Sequence, residues 1–132
     1  MRLNVSTNQE AFDKVVHHLA TMPRQSSKPD FSDDTGGMTC MYRTSDGNRC
    51  AIGALIPDDD YSPLFENKSV GSIGIMWGGL NEDMLSDLQS AHDLNCNWNV
   101  ERTKFTGSDY LIEVGTRYGV DVSSVFKEFQ EY

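Results

Sequence analysis

Four side chains in this sequence carry donor atoms suited to metal or nucleophilic chemistry: Cys40, Cys50, His92 and Cys96. Two thiols from one segment, joined by an imidazole and a thiol one helical turn apart, match a tetrahedral zinc site in type and number. Their separations do not match a compact finger, because neither pair has the short two-residue gap that makes such signals specific. Buried cysteine also commonly packs as a small hydrophobe. The other assembly is a cysteine nucleophile with His92 as base and Asp93 as its orienting group. Neighbouring helical side chains leave the axis about 100° apart, so Asp93 is not expected to orient His92. His92 is expected instead as a helix residue hydrogen-bonded near the cysteine-bearing segment. The sequence holds no phosphate-cradling glycine loop, metalloprotease helix or paired-carboxylate pattern. An enzyme or zinc-binding domain centred on Cys40, Cys50 and His92 is therefore the alternative reading. The leading one assigns no catalytic residue, metal or cofactor.

The elements that would position these groups begin with residues 39–57, which read as a β-hairpin. Two short apolar and β-favouring runs flank Ser45-Asp46-Gly47, and glycine tolerates the positive φ that a tight reversal needs. A two-residue loop would put Cys40 and Cys50 on opposite faces, because side chains alternate along a strand. A three-residue loop with Gly47 in the left-handed position pairs Thr44 with Asn48, Tyr42 with Cys50 and Cys40 with Ile52. That register gathers Cys40, Tyr42, Cys50 and Ile52 on one buried face, and the second strand then runs over 51–56 to stop at Pro57.

Helices surround it. Thr7 and Glu10 form a capping-box pattern, and Phe12, Val15, Val16, Leu19 and Met22 recur at helical spacing, which predicts a helix over 8–22 ended by Pro23. His17 and His18 beside that stripe read as surface or boundary residues. Residues 2–5 suggest an edge strand, and residues 24–38, rich in Ser, Asp and Gly, suggest a mobile connection. Asp58-Asp59-Asp60 lacks the alternating ligand spacing of a calcium loop. It is expected at the start of a short helix that buries Tyr61, Leu64 and Phe65. Asn81 should cap a helix through about residue 95 with Met84, Leu85, Leu88 and Ala91 inward. After an ambiguous stretch at 97–105, a helix over 108–118 stops at Gly119, and Asp121 caps a last helix that docks Val122, Val125, Phe126 and Phe129. The expected fold is α+β: one domain spanning residues 1–132, with a small antiparallel β-hairpin sheet packed against four or five α-helices.

The charge is uneven. Twenty acids against 11 Lys and Arg give a formal net charge of −9, and between Pro57 and Cys96 eight carboxylates face a single lysine. Such a surface repels phosphate backbones, so direct nucleic-acid binding is not expected, and it attracts basic protein surfaces. Three cysteines without an apolar leader after Met1 point to a reducing cytoplasm. No run approaches the ~20 apolar residues of a membrane helix. The candidate partner-binding residues are the acids Asp58, Asp59, Asp60 and Glu66. With them go Ile73, Met76 and Trp77 of the glycine-rich 69–80 stretch, which could form either core or an exposed apolar anchor.

The block Cys-Met-Tyr-Arg-Thr-Ser-Asp-Gly-Asn-Arg-Cys-Ala-Ile-Gly-Ala-Leu-Ile-Pro-Asp-Asp-Asp-Tyr over 40–61, with the segments at 12–19, 68–70 and 88–93, resembles a family of small uncharacterised proteins of tailed bacteriophages and proteobacteria. The chain departs from the family pattern at Ala54, where relatives often carry a further cysteine, and in the glycine-rich 71–79 segment. The resemblance implies no activity. It implies a phage accessory protein acting in the host cytoplasm, which binds and inhibits a host protein, defence proteins among the candidates; the acidic charge adds the expectation of a basic surface on that protein, with nucleic-acid mimicry as a narrower version.

Overall fold

The structure, a computed structural model, describes residues 7–22, 25–29, 38–44, 47–58, 61–66, 70, 80–99, 101 and 103–129. Thr7 opens the first helix as its pattern predicts. Its hydroxyl accepts the Glu10 amide at 3.1 Å, and α1 runs Asn8–Thr21. The periodic residues Phe12, Val15, Val16 and Leu19 are all buried, so the 3.6-residue repeat becomes one apolar stripe facing the interior. Asn81 caps α2, Glu82–Asp93, by accepting the Asp83 and Met84 amides. Its Met84, Leu85, Leu88 and Ala91 pack inward as expected.

Helix α3 covers Ser108–Arg117, and Gly119 takes φ +73° just beyond it. The carboxylate of Asp121 accepts the Ser123 amide at 2.8 Å at the start of α4, Ser123–Glu128. This helix is short and buries only Val125 fully; Phe126, expected to dock, is 54% exposed. Helix α1 packs on α2 and α4, and α3 packs on α2 and α4. Gln9 fixes the turn before α4 to α1, its Oε1 accepting the Asp121 amide at 2.7 Å and its Nε2 donating to the Asp121 carbonyl at 2.9 Å.

The expected hairpin sheet does not form, and the α+β class is corrected: among the described residues the fold is predominantly helical, with four α-helices. The reversal itself is present. Gly47 has φ +91°, the Thr44 amide donates to the Asn48 carbonyl at 2.9 Å, and the Cys50 amide donates to the Tyr42 carbonyl at 3.2 Å. Pairing then stops, with a single bridge between Arg43 and Arg49. Beyond it the chain coils into a 3-10 turn at Gly53–Leu55, where the Ala54 amide returns to the Cys50 carbonyl at 3.0 Å. The physical reason lies in the run itself. Residues 51–56 are all buried and have no alternating polar face, so short-range backbone bonds satisfy amides that no neighbouring strand could reach.

Cys40 is therefore not paired with Ile52. It belongs to the only ladder among the described residues, three residues long, in which β1, Ser27–Pro29, runs antiparallel to β2, Met38–Cys40, with Ser27 opposite Cys40. Part of the supposed loose connection is thus structural, and Gln25 and Ser26 are wholly buried. The helix expected after Asp58 is a single 3-10 turn, Pro63–Phe65, capped by Ser62, and its Leu64 is 77% exposed rather than inward. One turn of helix buries too little to hold both Leu64 and Phe65 inside. The ambiguous 97–105 stretch folds back through a bridge between Trp98 and Phe105. The expected strand at 2–5 and the glycine-rich 71–79 segment lie outside the described residues. Among those described, no helix is long and apolar enough to cross a membrane.

Candidate functional site

The end of α2 carries the densest polar chemistry. His92 is fully buried, and its Nε2 lies 3.0 Å from the Ser26 amide. A backbone N–H can only donate, so Nε2 is the accepting nitrogen and the ring proton sits on Nδ1. That proton is donated to Asp93 Oδ1 at 2.8 Å. The last carbonyls of a helix lack partners within it. The His92 carbonyl accepts two bonds instead, from Gln25 Nε2 at 2.9 Å and from Trp98 Nε1 at 2.7 Å. Trp98 also meets the imidazole edge-on at 5.6 Å and Phe105 at 5.4 Å between centroids. One residue thus holds the segment before β1, the end of α2 and the 98–105 turn together. The expectation that Asp93 cannot orient His92 is corrected. The angular argument concerns the Cα–Cβ directions, and rotation about the side-chain bonds at the end of α2 closes the gap.

A second strand of the network leads to Cys50. Gln89 donates to Asp93 Oδ1 at 2.8 Å and accepts the Ile52 amide at 3.1 Å. The Cys50 sulfur accepts the Gly53 amide at 3.2 Å. Burial pushes the Cys50 thiol well above its ordinary range, which keeps it protonated and unreactive. Both nitrogens of His92 are occupied, and among the described residues no group of three His, Cys, Asp or Glu side chains could hold a metal ion. Cys96 is exposed, whereas Cys50 is buried.

The acids proposed from the sequence have different surroundings. Asp58 is exposed and accepts from Arg43 at 3.0 Å and Arg49 at 2.9 Å. Glu66 is engaged internally: Oε1 accepts the Tyr42 amide at 2.9 Å, and Oε2 accepts the Arg43 amide at 3.2 Å and the Tyr61 hydroxyl at 2.6 Å. Burial, with the carboxylate as a lesser cause, pushes the Tyr61 phenol up to about 12. Asp59, Asp60, Ile73, Met76 and Trp77 lie outside the described residues. Replacing Glu66 by alanine should therefore lower folding stability by about 2 kcal/mol, because two backbone amides lose a charged acceptor. Urea unfolding measures this, and an unchanged midpoint would place Glu66 back among purely surface acids.

Among the histidines beside α1's stripe, His17 is exposed and 2.8 Å from Glu128. His18 is half-buried, with Nε2 2.7 Å from the Arg49 carbonyl, to which it must donate. Burial lowers the His18 pKa from 6.5, outweighing the bond to Arg49. With the folded value below the unfolded one, the unfolded chain takes up the proton first. The contribution is intact above the unfolded value and is lost as pH falls below it. The urea midpoint should drop between about pH 7.5 and about pH 5.5, and by less in His18→Gln, whose amide can still donate. Equal drops in the two proteins would clear His18 of the effect.

Between α2 and α3 lies an acidic surface. Arg117 joins Asp87 at 2.9 Å to Glu113 at 3.3 Å, and the Tyr118 hydroxyl donates to the same Asp87 carboxylate. Glu82, Asp83 and Asp109 stand exposed in the first turns of the two helices, where they complement the helix dipoles. Compared with known proteins, the chain matches no family model, no curated protein and no solved structure.

Gln25, Ser26, Gln89 and Trp98 are the members of the buried network that sequence reasoning does not single out. Gln25 and Ser26 lie outside the helices and strands, where a polar side chain leaves no periodic trace, and Gln89 of α2 is not one of that helix's apolar residues. Trp98 and Phe105, two aromatics bracketing a polar turn, are the signal that could have marked the 98–105 fold-back.

Proposed function

We propose that the chain is a small, non-enzymatic interaction protein that presents its carboxylates to a basic surface on another protein. One contrast supports this reading. The reactive side chains Cys50 and His92 have no exposed surface and are hydrogen-bonded within the fold. Glu82, Asp83, Asp109, Glu113 and Asp121 stand in solvent, in a chain of net charge −9. A catalytic base must come within about 3 Å of the proton it takes. Surface carboxylates need only be seen, and they steer a basic partner from a distance. The family resembled by the 40–61 block adds the setting. The chain acts as a phage accessory protein in the host cytoplasm, and its effect on the host protein is inhibition.

The test is retention of a host-lysate protein on the immobilised chain at low and at high salt, alongside a variant carrying Glu82→Lys, Asp83→Lys and Glu113→Lys. A protein held at low salt, released at high salt and lost by the variant is the expected outcome. Nothing retained at either salt, or equal retention by the reversed-charge variant, overturns the reading.

A further inference from the structure

The polar bonds between α1 and α4 fall into one register. Gln9, Asp13 and His17 follow one another four residues apart along α1, so they share one face of it. Gln9 exchanges two hydrogen bonds with the Asp121 backbone, at 2.7 and 2.9 Å. The Ser124 hydroxyl donates to Asp13 Oδ1 at 2.8 Å, and Glu128 Oε2 lies 2.8 Å from His17 Nδ1. The partners at 121, 124 and 128 thus make a single seam along the docked side of α4.

The backbone marks where this segment begins. Up to Val120 the chain is tied to α3, the Gly119 amide donating to the Thr116 carbonyl at 3.3 Å and the Val120 amide to the Gly115 carbonyl at 3.0 Å. From Asp121 onward it is tied to α1. Gly119, at φ +73°, stands just before the changeover, where a hinge needs a residue free to change its backbone angles.

Little apolar burial backs the seam. Val125 is the one buried residue of α4, and none of the seam's six side chains is buried. Six residues do not hold a helix by themselves, and solvent-accessible polar bonds contribute little each. What lies beneath is apolar. Val122 covers Gly115 and Phe12 so closely that no Cβ fits on the glycine, and Phe129 leans on Phe105 with ring centroids 5.8 Å apart. Phe12 and Phe105 are buried.

We propose that residues 121–129 form a strap that lifts from α1 as one unit about Gly119 while α1, α2 and α3 stay folded, baring the apolar surface around Phe12 and Phe105. A segment with few buried apolar contacts and solvent-accessible bonds opens ahead of the whole molecule. Asp13 is its point of control. Its Oδ1 accepts Gln9 Nε2 at 3.0 Å as well as the Ser124 hydroxyl, so negative charge placed at Ser124 repels it and drives the strap off.

Native-state hydrogen exchange of the ¹⁵N-labelled full chain at low urea tests this. The amides of Asp121, Val125 and Phe129 donate to Gln9, Val122 and Val125. They should share one opening, exchange about 100-fold faster than Val16 and Leu88, and respond less to urea. Gln9→Ala should speed all three by about tenfold and leave Leu88 unchanged. Ser124→Asp should strip their protection while Leu88 keeps its own, and the variant should bind the dye ANS, which reports bared apolar surface. If the three amides of the wild type exchange together with Val16 and Leu88, at one rate and one urea slope, α4 belongs to the global unit and there is no strap. Gln9→Ala speeding Asp121 alone overturns the proposal too, because the bonds then act singly. So does Ser124→Asp if α4 and α2 lose protection together, or if α4 is released without dye binding.

Discussion

Gly53→Ala should be among the most damaging single substitutions in this chain, lowering folding stability by about 3 kcal/mol or more. A Cβ built on Gly53 would sit 2.1 Å from the Tyr42 carbonyl oxygen and 3.0 Å from its carbon. The obstacle is backbone, so no side-chain rotation relieves it. The same oxygen accepts the Cys50 amide at 3.2 Å, and the Gly53 amide is held by the Cys50 sulfur. Moving either segment breaks the contact that joins the reversal to the 3-10 turn. Gly47 provides the control. It has φ +91° but nothing within 4 Å of an added Cβ, so Gly47→Ala costs only the left-handed strain, about 1–2 kcal/mol. Urea unfolding of both variants decides the matter. If Gly47→Ala proves as costly as Gly53→Ala, strain in the turn dominates and close approach at Gly53 is not what holds the segment.

The same pair of glycines shows which parts of the fold could be read in advance. A turn is a local event, so Ser45-Asp46-Gly47 announces its own register, and the Thr44–Asn48 and Tyr42–Cys50 pairings result. Helices α1 and α2 are equally local, each written as a capping residue and then a 3.6-residue repeat. The path of the chain beyond Cys50 is not decided locally. An unbroken apolar run fits a buried strand or a buried coil equally well. Two distant contacts choose between them: Gly53 lies against Tyr42, and Gln89, 37 residues further along, accepts the Ile52 amide. Size accounts for the other departures. Six-residue α4 and the single turn at 63–65 cannot bury apolar residues on two sides, so Phe126 and Leu64 face out.

The candidate site is legible in its parts and not in its assembly. Burial of Cys50 agrees with its place in the apolar set, and His92 belongs to the inner face of α2. Their partners come from elsewhere: Ser26 is 66 residues from His92, and no spacing rule links a loop amide to a helix imidazole. Among the acids, Glu66 escapes sequence reasoning for a related reason. Sequence records a charge, and only the fold reveals that two backbone amides face it.

His92 tests whether this buried network stabilises the fold or merely accompanies it. In His92→Phe the ring remains to pack on Trp98, so apolar burial is nearly kept while the acceptor for the Ser26 amide is lost. A buried donor left without a partner costs about 1–3 kcal/mol, and loss of the bond to Asp93 adds to it. His92→Ala adds a cavity to the same losses and should cost about 4 kcal/mol in all. His92→Gln should cost least, because its Oε1 can take the place of Nε2 opposite Ser26. The expected order of stability is therefore wild type, Gln, Phe, Ala. Hydrogen exchange locates the effect: the Ser26 amide should exchange much faster in His92→Phe, and less so in His92→Gln. The tautomer gives an independent check, since Nε2 of the native chain should show the ¹⁵N shift of an unprotonated imidazole nitrogen at neutral pH. A phenylalanine variant as stable as wild type would mean that ring packing alone carries the position. A proton found on Nε2 would remove the bond to Ser26 on which the whole arrangement depends.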